Sequence, residues 1–153
     1  MTRLRCALPA VLLLACRPSV RPVGGGDSAL TAELTHQLAR SAADWNRGDL
    51  EGFMSDYAHD SATTFVDGGH AHRGWDFIRS RYVTRFAPGA SRDSLRFEEV
   101  AGRRLGERHA LVTARFILFR DGQTTASGPF TLVLEQQSDG WKILHDHTSS
   151  DPR

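Results

Sequence analysis

A single change of rhythm constrains this chain more than any other feature. From Ser28 to Phe86 apolar residues return every three or four positions, whereas from Ser94 to Thr148 they alternate or form wholly apolar runs. The first period is that of a helix face and the second that of a strand. Helices gathered ahead of an antiparallel set of strands indicate an α+β fold. With 153 residues the chain has room for one ordinary core.

The helical half reads as three segments. Leu30, Leu34, Leu38, Ala42 and Trp45 share one face of Ser28–Asn46, with Asp27 or Ser28 to cap its start and Gly48 to end it. Asp49 caps a short second helix carrying Leu50, Phe53 and Tyr57 on one side. A third helix runs from about Gly74 to Phe86 on the face Trp75, Ile78, Tyr82 and Phe86, and Pro88-Gly89 stops it. Between the last two lies a short β-branched strand, Ala62 to Asp67. Gly68-Gly69 ends it, and a loop bearing His70 and His72 is expected to follow.

The second half reads as a meander of Ser94–Arg104, His109–Arg120, Gln123–Gln137 and Trp141–Thr148. Asp121-Gly122 is a hairpin signal, and Gly128-Pro129 is expected to mark a bulge or kink in the third of these strands. Long kinked strands curve, and a curved sheet against helices leaves a concave space. His109–Arg120 is apolar on both faces: Val112, Ala114, Phe116 and Leu118 on one, Leu111, Ile117 and Phe119 around Arg115 on the other. One side should meet the helices and the other a second copy of the chain, so a homodimer through the sheet face is expected.

The amino terminus reads as an address. Arg3 and Arg5 precede the apolar run Cys6 to Ala15, which is too short to span a bilayer. Leu13-Leu14-Ala15-Cys16 resembles the lipobox of bacterial lipoproteins, and that resemblance implies a signal peptide over 1–15 and lipidation of Cys16. Residues 16–27, with two prolines and three glycines, read as a tether. The expectation is an exported domain over 28–150, held at a membrane in the cell envelope by Cys16. Cysteine-based catalysis and thiolate metal sites are excluded once residues 1–15 are removed, since Cys16 is then the only cysteine. The 19 basic and 18 acidic residues balance, and basic patches with interleaved aromatics are absent, so nucleic acid is not an expected partner.

The order of elements, with Trp45-Asn-Arg-Gly-Asp49, Phe65-Val-Asp67, Arg73-Gly74-Trp75 and the ending Gly140 to Ser149, resembles the nuclear transport factor 2-like superfamily. Within it the SnoaL-like group and domain of unknown function 4440 are the nearest in pattern. The ending also resembles the last strand of the association domain of calcium/calmodulin-dependent kinase II. The resemblance implies a cone-shaped α+β fold with a pocket at its open end, commonly dimeric. It does not choose among isomerases, dehydratases, ligand binders and assembly domains.

Several residues could carry chemistry. Enzymes of this superfamily often place a carboxylate in the cone, which makes Asp67 and Asp146 catalytic candidates, and His147, in the same strand as Asp146, is a third candidate as a general base. Tyr57 or Tyr82 could act as donors to an oxyanion. Tyr57, Trp75, Tyr82, Arg115, His145 and His147 are the pocket candidates. His145 and His147 share one face of the last strand and Asp146 takes the other, but a bulge would exchange them. Together with His70, His72 and Asp67 the two could in principle hold a zinc-like ion. Half-buried histidines bonded to their neighbours are the better reading, and no metal and no cofactor is expected. Arg115 needs a carboxylate partner, for which Glu99 and Glu135 are in range. The expected function is binding of a small, largely apolar molecule. The alternatives are a cofactor-independent isomerase or lyase working through Asp67 or Asp146 and a histidine, and an assembly domain.

Overall fold

A computed structural model describes residues 27–152. The expected signal segment, tether and Cys16 lie outside the described residues. The elements run α1 (Ser28–Arg47), α2 (Leu50–Met54), β1 (Thr64–Asp67), β2 (His70–Arg73), α3 (Trp75–Phe86), β3 (Ser94–Arg104), β4 (His109–Arg120), β5 (Gln123–Gln137) and β6 (Gly140–Thr148). The helix boundaries follow from local chemistry. The Asp27 carboxylate accepts the Leu30 N–H and starts α1, and Gly48 ends it in the left-handed region at φ 83°. One residue on, the Asp49 side chain accepts the Gly52 N–H and starts α2.

The six strands form one sheet in the order β2-β1-β6-β5-β4-β3. All neighbours are antiparallel except β1 and β6, where Thr64, Phe65 and Val66 pair in parallel with His145, Asp146 and His147. The helices cover one face. Leu30 and Leu34 of α1 are almost wholly buried against β3. Gly102 permits that approach, since a Cβ there would lie 3.2 Å from Leu34 Cδ1 and 3.3 Å from Leu30 Cγ. Burying each such leucine contributes about 1.5–3 kcal/mol.

Three bulges curl the sheet. One lies in β3 between Glu98 and Ala101, where Glu99 has φ 55°. The second leaves Thr125 of β5 unpaired between Thr124 and Ala126. The third leaves Leu144 of β6 unpaired between Ile143 and His145. Extra residues of this kind bend a strand and increase its twist.

Two expectations need correction. The segment after Gly68-Gly69 is a strand, β2, because the two glycines at φ 53° and 81° make a tight hairpin that pairs His70–Arg73 back on β1. Gly128-Pro129, expected as a bulge or kink, is not a bulge, since its pairing with β4 is regular. Gly128 is needed for close approach: a Cβ there would fall 1.9 Å from the Ser149 carbonyl oxygen. The chain end docks along β5 at that point through Ser149 N–H to Pro129 O and Asp151 N–H to Ser127 O.

Candidate functional site

The bulge at Leu144 decides what the concave side contains. Trp141 and Ile143 face the helices, so regular alternation would bring His145 inward next. The extra residue shifts the phase by one, and Asp146 and Thr148 face inward instead. Parallel pairing with β1 places His145 beside Thr64 and His147 beside Val66, on the opposite face from Phe65.

A cavity of about 590 Å³ lies between the helices and this curved face. Its walls are mostly aromatic and aliphatic, including Trp45, Phe53, Phe65, Phe97, Phe116 and Phe130. Trp45 and Phe53 meet edge to face with centroids 5.4 Å apart, and Phe53 and Tyr82 at 5.0 Å. Each such pair adds about 0.5–1.5 kcal/mol beyond its buried area.

Asp146 forms the polar floor. It is 6% exposed. Tyr57 Oη donates to its Oδ2 at 2.7 Å, and Thr148 Oγ1 donates to its Oδ1 at 2.8 Å. Among the described residues no cation pairs with it. Burial dominates and pushes its carboxyl up from 3.8 to about 6, although the Tyr57 and Thr148 hydrogen bonds pull the other way. Burial and the neighbouring Asp146 likewise raise the Tyr57 hydroxyl well above its ordinary range. Tyr82 is raised too, first by burial and then by Asp146. Both phenols are therefore neutral donors, and the carboxyl can take or release a proton near neutral pH.

The mouth is built differently. Asp67, about one-third exposed, accepts from Arg81 Nη2 at 2.7 Å and lies 3.2 Å from His72 Nε2. Asp93 pairs with Arg120 and accepts from Thr125 Oγ1 at 2.6 Å. Arg85, one helical turn beyond Arg81, also lines the opening.

Of the expected residues, the structure brings Asp67, Asp146, Tyr57 and Tyr82 to this cavity. The others lie elsewhere. Trp75 meets His59 edge to face with centroids 4.2 Å apart and donates to the Met54 carbonyl beside a separate recess of about 340 Å³. His145 lies on the far face with its Nδ1 2.7 Å from Thr64 Oγ1, and His147 beside it is exposed. Burial, with the adjacent His147, lowers the His145 imidazole. His70 and His72 pair with Asp67 and Phe65, on the helix side. The sheet thus separates the two histidine pairs, and no metal-binding group of three or more ligands occurs among the described residues. Arg115 is not a cavity residue either. It pairs with Asp151 at the docked chain end, to which Ser127 also donates, and not with Glu99 or Glu135.

Sequence reasoning missed Thr148, Arg81 and Arg85. The arginines had a usable signal: they flank Tyr82 on one side of a helix whose apolar face had been recognised. Thr148 had none, since its inward direction depends on the bulge.

A family model described as a SnoaL-like domain matches residues 33–152. No curated protein sequence matches the chain. Among solved structures, an NTF-2 like protein of unknown function from Shewanella oneidensis is 28% identical, with a TM-score of 0.67 over 78% of this chain and 98% of that one. A cystatin-like-fold protein of unknown function from Nostoc punctiforme is 12% identical, with a TM-score of 0.66 over 79% of this chain and 90% of that one. A nuclear transport factor 2-like superfamily protein from Salmonella enterica is 19% identical, with a TM-score of 0.60 over 82% of this chain and 94% of that one.

Proposed function

The chain belongs to the SnoaL-like domain family, and from that premise we propose that its cavity binds a small, largely apolar molecule bearing one hydrogen-bonding oxygen. One observation carries this reading: a buried carboxyl, held by Tyr57 and Thr148, is the polar floor of a cavity walled largely by aromatic and aliphatic side chains. A polar group with few partners in an apolar recess orients a ligand, because an oxygen seated there gains a bond that it would lose elsewhere in the cavity. The test is a fluorescence titration of the protein with 2-naphthol, which fits that description. Saturable one-to-one binding, weakened about fivefold by Tyr57→Phe, is the expected result. Absence of saturable binding overturns the reading.

A second reading is favoured by the Asp146 carboxyl at about 6. An acid poised there beside two neutral phenols suits proton abstraction and return, as a cofactor-independent isomerase or lyase needs. Asp146 would move the proton, and Tyr57 or Tyr82 would stabilise the oxyanion that forms. If so, Asp146→Asn abolishes turnover while leaving ligand affinity within a few-fold.

The proposal includes a setting. The lipobox-like Leu13-Leu14-Ala15-Cys16 and the tether after it would hold the domain off the surface of the cell envelope as a lipoprotein. Cys16→Ser should then move the protein from the membrane fraction to the soluble fraction. Pairing of two copies through the open sheet face is part of the same proposal, and the oligomeric state in solution tests it.

A further inference from the structure

We infer that the cavity selects a carboxylate, held with its charged end on Arg85 at the mouth and its apolar body inward; this rests on the binding role proposed above. The argument is a charge balance around the opening. Four charged side chains line it: Asp67, Arg81, Arg85 and Asp93. Two are matched to each other, Asp67 with Arg81 at 2.7 Å. Asp93 is matched from outside the cavity by Arg120 and by the Thr125 hydroxyl. Arg92, nearby, stacks on Phe86 with its guanidinium 4.8 Å from the ring centroid, and donates to the Arg85 carbonyl at 3.1 Å. It braces the end of α3 and covers the aromatic wall. Among the described residues Arg85 makes no ion pair: its charge acts on the Asp93 carboxylate, but Arg120 already pairs that group, so the mouth carries one guanidinium more than its carboxylates match.

Arg85 is also placed to serve the interior. Its charge reaches both the Tyr82 hydroxyl inside the cavity and the Asp93 carboxylate at the mouth. A guanidinium fork matches the two oxygens of a carboxylate. The buried part of the cavity disfavours an anion, because Asp146 there is 6% exposed and, among the described residues, pairs with no cation. The two ends therefore set one direction for the ligand: charge outward, neutral oxygen inward on Asp146 and Tyr57, apolar body along Phe53, Phe65 and Phe116. Among the described residues one lining cation lacks an ion pair and so matches one negative charge, which favours a carboxylate over a phosphate ester near its dianionic state.

The experiment compares 6-hydroxy-2-naphthoate with its methyl ester on the full-length protein. The two share a ring body and a distal hydroxyl and differ in charge. The acid should bind about tenfold tighter than the ester at low salt, and the preference should shrink as salt rises. Arg85→Gln should weaken acid binding about tenfold and so remove the preference, and Arg85→Lys should restore part of it. Circular dichroism confirms that the exposed substitutions leave the fold intact. Equal binding of acid and ester, with no effect of Arg85→Gln, overturns the carboxylate inference and leaves the cavity reading standing. Failure of acid, ester and 2-naphthol alike overturns both. Tighter binding of 2-naphthyl phosphate than of the naphthoate overturns the choice of carboxylate.

Discussion

The cavity has two acidic regions, and they behave oppositely although each is built on an aspartate one strand apart. At the floor, Asp146 is buried, bonded only to neutral hydroxyls, and pushed up to about 6. At the mouth, Asp67 is partly exposed and held by Arg81 and His72. The comparison teaches what makes a carboxyl available for recognition. Water and a fixed cation tie Asp67 into a structural ion pair. Removal of both leaves Asp146 with only directional bonds and an uncertain charge, the condition in which a ligand can change its state.

The sharpest way to break the contrast is to remove the floor charge. Asp146 holds its proton more tightly folded than unfolded, so it adds stability below its ordinary 3.8 and loses that contribution as pH rises to about 6. Asp146→Asn keeps the shape without the charge. It should stabilise the protein at pH 8 by about 3 kcal/mol, with the gain fading towards pH 4. Denaturant unfolding at the two pH values measures this, and a pH-independent difference would refute the buried-charge account.

A smaller effect is expected from Tyr57→Phe. It removes the donor at 2.7 Å from Asp146, so the carboxyl should titrate still higher and stability above pH 6 should fall by about 2 kcal/mol. Carbon NMR of the Asp146 carboxyl follows the first change and thermal unfolding the second. The smallest effect belongs to the mouth. Asp67→Asn should cost no more than about 1 kcal/mol, because its pair with Arg81 is partly solvated. It should also free Arg81 and tighten binding of 6-hydroxy-2-naphthoate about threefold, which calorimetry would register.

Much of the fold was legible because its punctuation is local. Asp27, Gly48 and Asp49 act on their nearest turns, and Asp121-Gly122 makes its hairpin whatever surrounds it. Features that depend on long-range packing were not legible. Arg115 finds Asp151, 36 residues away, only because the chain end docks along β5 past Gly128. The strand pairing of His70–Arg73 was hidden because exposed polar side chains give no inward-outward alternation to read. The site was half legible. Tyr57, Tyr82 and Asp146 stood out by residue type and position. The choice between Asp146 and the histidines beside it did not, since nothing in the type of Leu144 marks it as the residue that escapes pairing.

That unpaired leucine works like a reading frame in space. The segment His145-Asp146-His147 encodes two possible floors, one carboxylic and one imidazole, and the phase of β6 decides which is expressed towards the cavity. Drawing Leu144 into regular pairing, with no change to any of the three residues, would exchange an acid floor for a basic one. A relative of equal length that pairs this position regularly would share the fold and every side chain of the triplet, yet present its ligand with opposite chemistry.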